Sequence, residues 1–288
     1  MDMGLPEIAA RLCQKARTTG VTVADLEAEC PWLCQQVVRD AATDGLFGLW
    51  SDTSNFDELA GVPIVDPDVL LAIGNLAGHS MEGPAIHAGL QHTYGYLLST
   101  IETRFGYKRD RWVNPSLAQG FGLPPDILGP NPAEGTLLAN ATFLAGTVAF
   151  RGDERAIRRL RKVATSAASW VSQLQSMKFE QDRIVETLYL RDSAGRSRSI
   201  RIRTDIVRYP HQVMGTLESY LLVYSVKNSR RVARLTTLFP ITQAFAAELT
   251  HPDRFGPSTE IRLRFNAFLP GLAGQTVVGQ RTLERVVT

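Results

Sequence analysis

The chain has 288 residues, a net charge of +2, 44% hydrophobic and 21% charged residues, an ordinary globular composition with room for a sizeable core. Its basic residues are dispersed: Arg158–Arg159, Arg161–Lys162 and Arg230–Arg231 sit among apolar neighbours, which describes solvated faces and argues against a nucleic-acid footprint. No apolar run reaches the roughly 18 residues needed to span a bilayer. The N-terminus, MDMGLPEIAARL, lacks a basic stretch followed by an apolar one, so no signal peptide is expected. Cys13, Cys30 and Cys34 are few, odd in number and confined to the N-terminal segment, as in a reduced, cytoplasmic protein. The spacing in CPWLC is not that of a redox or zinc motif, and Cys30 and Cys34 read as small apolar residues on a helix.

Residues 4 to 42 carry two helical runs. Leu5, Ile8, Ala9 and Leu12 share one face, and after Gly20 a second face carries Leu26, Leu33, Val37 and Val38. Thr22 with Asp25 is placed to cap the second run, and no basic recognition face follows. A loop from Gly45 to Pro63 leads to the helix DPDVLLAIGNLAGHS. From Ile86 the set Leu90, Tyr94, Leu97 and Ile101 keeps helical spacing. A strand over Tyr94–Thr103, turning at Arg104–Gly106, is the alternative. Residues 114 to 135 are dense in Pro and Gly and predict an ordered loop, of a length often used to line or cover a site.

TLLANATFLAGTVAF is almost uncharged and is expected to be buried. DERAIRRLRKVATSAASWVSQLQS predicts a long helix capped by Asp153. From Ile184 the pattern alternates: IVETLYLRD–SAGR–SRSIRIRTDIV is a hairpin, with Ile200 and Ile202 set against Arg201 and Arg203. SYLLVYSV–KNS–RRVARLTTLF is a second, turning at Lys227–Ser229. A short helix, ITQAFAAELT, and a late strand, EIRLRFNAFLP, follow. The expected architecture is α+β in one large domain: a helix-rich half over 1–180 and antiparallel hairpins over 181–288.

There is no phosphate-binding P-loop, no Rossmann glycine fingerprint after a strand, no HExxH and no GxSxG. His251-Pro-Asp253 has the spacing of a facial-triad iron site, but no distal histidine follows, and a helix-end turn is the simpler reading. Of five histidines, His79, His87 and His92 fall within the single stretch GHSMEGPAIHAGLQHTYGY. On one helix His87 and His92 would lie about 140° apart, too far to chelate one metal, and Pro84 separates both from His79. A single imidazole in a pocket is easier to build. Ala85, Ala88 and Gly89 beside His87 would leave room for a flat ligand against the backbone; the alternative is a core histidine with a satisfied hydrogen bond.

His211, in IVRYPHQVMG, follows Pro210 between the two hairpins. It reads either as an exposed loop residue or as an axial ligand to haem iron. With haem between His211 and the His87 segment, one histidine would coordinate iron and the other would move protons near neutral pH.

The run GHSMEGPAIHAGLQHTYGYLLSTIETRFGYKRDRW, and more weakly GTLLANATFLAG, resembles histidine-ligated haem-dependent L-tyrosine hydroxylases of natural-product pathways. The resemblance covers about a sixth of the chain. It implies haem b, conversion of tyrosine to 3,4-dihydroxyphenylalanine with peroxide or dioxygen, a distal catalytic histidine at His87 with His92 as neighbouring candidate, and His211 as the iron ligand. His79 or His251 could take the ligand role instead. The predicted hairpins depart from that family, whose relatives are dominated by helices.

The implied partners are a small aromatic amino acid and the oxidant, without nucleic acid or membrane, and with a homodimer as an allowed assembly. By residue type alone, Arg109 or Arg111 near Trp112, and Asn140 with Phe143, could serve the substrate's carboxylate, ammonium group and ring. Two other readings stand beside this one: a non-haem metal enzyme using the histidine cluster, and a cofactor-free protein that binds a small molecule.

Overall fold

The computed structural model describes residues 4–57, 61–81, 85–103, 106–113, 127–132, 135–163, 180–191, 195–209, 219–228, 231–258 and 276–286. The N-terminal segment forms three helices where two runs were expected: α1 (Leu5–Thr18), α2 (Val23–Glu29) and α3 (Pro31–Ala41). The second run breaks because Pro31 disfavours a helical residue before it, and Cys30 adopts φ −144°, ψ 59°. Thr22 and Asp25 form the capping box anticipated for α2: the Asp25 amide donates to Thr22 Oγ1 at 3.3 Å and the Thr22 amide to Asp25 Oδ2 at 2.9 Å. Ion pairs from Arg11 to Glu29 and from Lys15 to Asp25 tie α1 to α2. Val38, assigned to the inner face by spacing, is half exposed.

The Gly45–Pro63 loop contains a 3-10 turn, Phe47–Leu49, and β1 (Asp52–Ser54). Next come α4 (Pro67–Leu76), β2 (Ala85–His87) paired antiparallel with β1, and a π-helical turn at Leu90–Gly95 inside a short helix. A small hairpin follows, β3 (Glu102–Thr103) with β4 (Gly106–Tyr107), and then α5 (Lys108–Val113). Helix and strand therefore divide the segment after Ile86 between them. Of the loop expected over 114–135, residues 127–132 are turns and 114–126 lie outside the described residues.

Helix α6 (Leu137–Ala149) is buried at every position except Ala139, as its uncharged sequence requires. Helix α7 (Glu154–Val163) buries Ala156, Leu160 and Val163 and is capped by Asp153, which accepts from the Ala156 amide at 3.1 Å. The rest of the long helix expected there lies outside the described residues.

The C-terminal half forms an antiparallel six-stranded sheet of order β8-β7-β6-β5-β10-β9. Its strands are β5 (Glu180–Arg191), β6 (Ser197–Tyr209), β7 (Ser219–Asn228), β8 (Arg234–Ile241), β9 (Gly256–Ser258) and β10 (Thr276–Val286). Both expected hairpins are present as β5–β6 and β7–β8. Strand β10 was not anticipated, and the expected strand at EIRLRFNAFLP lies outside the described residues.

Strands β6 to β8 bury side chains on both faces of the sheet. Ile200, Ile202, Ile206, Leu222, Tyr224 and Phe239 pack beneath Phe245, Ala246 and Leu249 of α8 (Gln243–Leu249). On the other face Val207, Leu221, Val223, Leu235 and Leu238 join the main core, together with Trp50 and the N-terminal helices. The fold is α+β, with helices mostly in the N-terminal half. Among the described residues no helix is long and apolar enough to cross a membrane.

Candidate functional site

The π-turn at 90–95 brings three polar side chains into the core in succession: Gln91 is 0%, His92 3% and Thr93 1% exposed. Such burial is costly unless the groups are paired, and π-turns concentrate at functional positions because they aim side chains differently from an α-helix. Gly95 permits the close approach of α4, since a Cβ there would stand 2.6 Å from Leu70 Cδ2. Gln91 donates to Ser54 O at 3.4 Å and to Asn55 Oδ1 at 3.3 Å, holding the turn against the loop after β1.

His92 points to the edge strand β8, where its Nδ1 shares a 2.8 Å hydrogen bond with Thr237 Oγ1. Its Nε2 is buried and has no hydrogen-bond partner among the described residues. Burial, with Lys108 nearby, holds its pKa well below the usual histidine range, so the ring is neutral at pH 7. The ring of Tyr96 meets that of His92 edge-on at 4.6 Å. Lys108, at the start of α5, donates to Tyr96 Oη at 3.0 Å.

Burial raises the Tyr96 pKa. Burial also lowers that of Lys108 to about 7; Arg111 adds to the effect and Asp57 opposes it. The Arg111 guanidinium lies over the Phe239 ring, 5.0 Å from its centroid. A neutral imidazole with one open nitrogen, next to a phenol and a lysine near its titration point, is equipped to accept and return a proton.

His87 is placed differently from expectation. It sits in β2, not on a helix, and both its ring nitrogens are engaged: Nε2 with Phe47 O at 3.2 Å, and Nδ1 as acceptor for the Leu90 amide at 3.3 Å. The room expected beside its small neighbours is filled. At Gly89 a Cβ would meet Leu138 Cδ1 at 2.9 Å and Trp50 Cγ at 3.0 Å. Burial, then the nearby His79, lower its pKa to about 4. Both nitrogens are thus held by backbone groups of the fold.

His79, separated from it in sequence by Pro84, is its neighbour in space: the rings are 4.9 Å apart and Phe47 lies against both. Among the described residues no three His, Cys, Asp or Glu side chains gather as a metal site. His211 lies outside the described residues. His251 is exposed, and its Nδ1 accepts the Asp253 amide at 3.4 Å, the helix-end turn expected of HPD.

The groups suggested for gripping substrate separate as well. Arg109 donates to Ser99 O at 2.7 Å and covers the Tyr107 ring at 3.9 Å. Asn140 donates to Ile127 O at 2.9 Å, and Phe143 belongs to the main core. Arg111 acts electrostatically on Tyr96, which packs against His92. Sequence reading missed Thr237, Tyr96 and Lys108. Tyr96 was accessible to it, four residues after His92 on one helical segment. Thr237, 145 residues away, carried no signal.

A cavity of about 430 Å³ lies elsewhere, between the sheet and α8, lined by Asp182, Ile206, Tyr220, Gln243, Ala246 and Thr250 among others. No family model, curated protein or solved structure matches this chain.

Proposed function

We propose that this chain is an enzyme acting on a small organic molecule, with His92 as its acid–base. The observation that carries this reading is the buried Nε2 of a neutral imidazole on a π-turn, without a hydrogen-bond partner among the described residues. Leaving such an atom unpaired costs about 1–3 kcal/mol, a cost that a bound substrate or cofactor group would offset. Thr237 holds the other nitrogen and so orients the ring. Tyr96 packs edge-on against it, and Lys108 donates to Tyr96 Oη.

The specific form implied by the resemblance is haem-dependent hydroxylation of L-tyrosine to 3,4-dihydroxyphenylalanine. Of the two candidate distal histidines, only His92 has a nitrogen free to face haem, so in this form His92 takes the role first given to His87. When bound, haem would supply the activation of peroxide or dioxygen. His92 would hold or release a proton at Nε2, and His211 would hold the iron. The six-stranded sheet sets the fold apart from the helix-dominated relatives.

The test begins with an absorption spectrum of protein from haem-supplemented cells. A Soret band at about one haem per chain leads to the assay of tyrosine with peroxide. A protein that stays colourless after reconstitution removes the haem form. His92→Ala is expected to lower turnover by about 10²–10⁴-fold, whereas His87→Ala should change stability more than turnover. With His92 neutral across this range, a change in kcat between pH 7 and 6 should follow Lys108 and vanish in Lys108→Met. A limb that persists in Lys108→Met, or full activity in His92→Ala, would overturn the assignment. A second reading, a cofactor-free binding protein, is favoured by the cavity beneath α8 and predicts ligand binding that survives His92→Ala.

A further inference from the structure

The face of the sheet that meets the helices does not stay buried along its length. Side chains alternate along a strand, so the register puts Val207, Asp205, Arg203 and Arg201 on one side of β6, with Lys227 directly opposite Arg201 and Tyr189 in the next row. Val207 and Asp205 are fully buried, whereas Arg201 is exposed and Tyr189 is 52% exposed. The core-facing side of the β5–β6 hairpin thus opens to solvent toward its turn. Lys227 joins this end to α7, because its Nζ lies 3.3 Å from Oδ2 of Asp153, the residue that caps the helix. The outer side of α7 carries Arg155, Arg158, Arg161 and Lys162, all exposed, opposite the buried Ala156, Leu160 and Val163.

Two carboxylates lie among these cations: Asp153 pairs with Lys227, and Glu154 stands 3.8 Å from Arg158 in a pair so exposed that it is worth little. The named cations exceed these carboxylates by more than the +2 of the whole chain, so positive charge is concentrated here and the remainder is acidic on balance. Scattered along the sequence, these residues argued against a nucleic-acid footprint; the fold brings them together. Arg201 and Lys227, like charges directly opposite on neighbouring strands, cost stability, a cost that a polyanion laid across them would offset.

We infer that this surface binds single-stranded nucleic acid, with phosphates on Arg201, Lys227 and the cations of α7 and a base stacked on the Tyr189 ring. Guanidinium groups grip phosphate oxygens in pairs, and an exposed aromatic ring stacks on any unpaired base. A duplex keeps its bases stacked on one another and away from Tyr189. A membrane would call for an apolar anchor beside the cations. Apart from Tyr189, the large hydrophobic side chains exposed among the described residues, Val38, Phe56, Val62 and Leu71, belong to none of these strands or to α7. Binding there needs no role for His92.

Fluorescence anisotropy of the full chain with a labelled oligothymidylate of about 15 residues tests this. With about five phosphates neutralised, affinity should fall roughly 100-fold between about 50 and 200 mM salt. Arg155→Gln combined with Arg158→Gln should weaken binding at low salt and make the logarithmic salt slope shallower by about 1.4. Tyr189→Ala removes a stacking face and no charge, so it should weaken binding about tenfold at either salt and leave the slope unchanged. These positions are exposed, so each variant should melt with the native chain, which separates lost binding from lost fold.

Absence of binding at the lower salt, native affinity in the double arginine variant, or native affinity in Tyr189→Ala would overturn the inference. Tighter binding to a duplex of the same length, or to phosphatidylserine vesicles, would overturn it in favour of those partners. Polyglutamate competing as well as unlabelled oligothymidylate would overturn it in favour of an acidic protein.

Discussion

Asp40 shows how a single buried group sets a pH dependence. It is 1% exposed, accepts a hydrogen bond from Thr136 Oγ1, and lies against the start of α6. Burial raises its pKa to about 7, opposed by the Thr136 hydroxyl and the Leu138 and Ala139 amides. A carboxyl whose folded pKa lies above its unfolded value binds protons more tightly when folded. Its contribution to stability is therefore complete below about pH 4 and lost as the pH rises through 7. Asp40→Asn keeps an acceptor for Thr136 and cannot ionise. Relative to the native chain it should gain stability between pH 5 and 8, by an amount on the order of a few kcal/mol at most. Thermal melts of both proteins across that range check this, and parallel curves would contradict it. At this scale sequence legibility was uneven. The clustering of histidines was visible, but which imidazole keeps an open nitrogen depended on Phe47 and Thr237, atoms contributed by remote chain, as well as on the nearby Leu90 amide.

Local elements were more legible. The Thr22–Asp25 box, the Asp153 cap and the alternation through β5 and β6 follow from neighbours only a few residues apart, the range over which capping and pleating act. The π-turn was not legible, because it is a one-residue departure from helix that tertiary packing must stabilise. Gly95 is where that packing is tightest. Gly95→Ala would push a methyl group against Leu70, itself fully buried, and should cost about 1–3 kcal/mol. In the native chain the turn also sets the aim of His92, so the same variant should lower turnover with a smaller effect on substrate affinity. Unchanged melting temperature and unchanged kcat would show that α4 yields to the added carbon.

Across the whole molecule, the helical and sheet halves share one core. Leu221, Val223, Leu235 and Leu238 of the sheet belong to the same buried cluster as Trp50 and residues of helices α1 to α4, α6 and α7. Trp50 is pinned within it by its Nε1, which donates to Thr142 Oγ1 at 2.7 Å. Leu238→Ala should therefore cost about 2–5 kcal/mol and lower the stability of both halves together. Unfolding followed by tryptophan fluorescence and by far-ultraviolet circular dichroism should give coincident transitions, each shifted by the same amount. Two separated transitions would mean that the sheet holds itself together without the helices. The same union explains the site: His92 belongs to the helical half, Thr237 to the sheet, and their hydrogen bond crosses the boundary between them.

By itself the sequence determined the α+β class, the two hairpins, the buried helix at 137–149 and the segment that carries the candidate site. Each of these rests on periodicity, composition or a cap, which are properties of contiguous residues. Only the tertiary structure decided that the second N-terminal run breaks at Cys30, that His79 faces His87, that the space beside Gly89 is filled by Trp50 and Leu138, and that His92, Tyr96, Lys108 and Thr237 meet. These outcomes depend on which side chain fills which volume and which polar atom is left without a partner. Both are settled when distant parts of the chain close on one another.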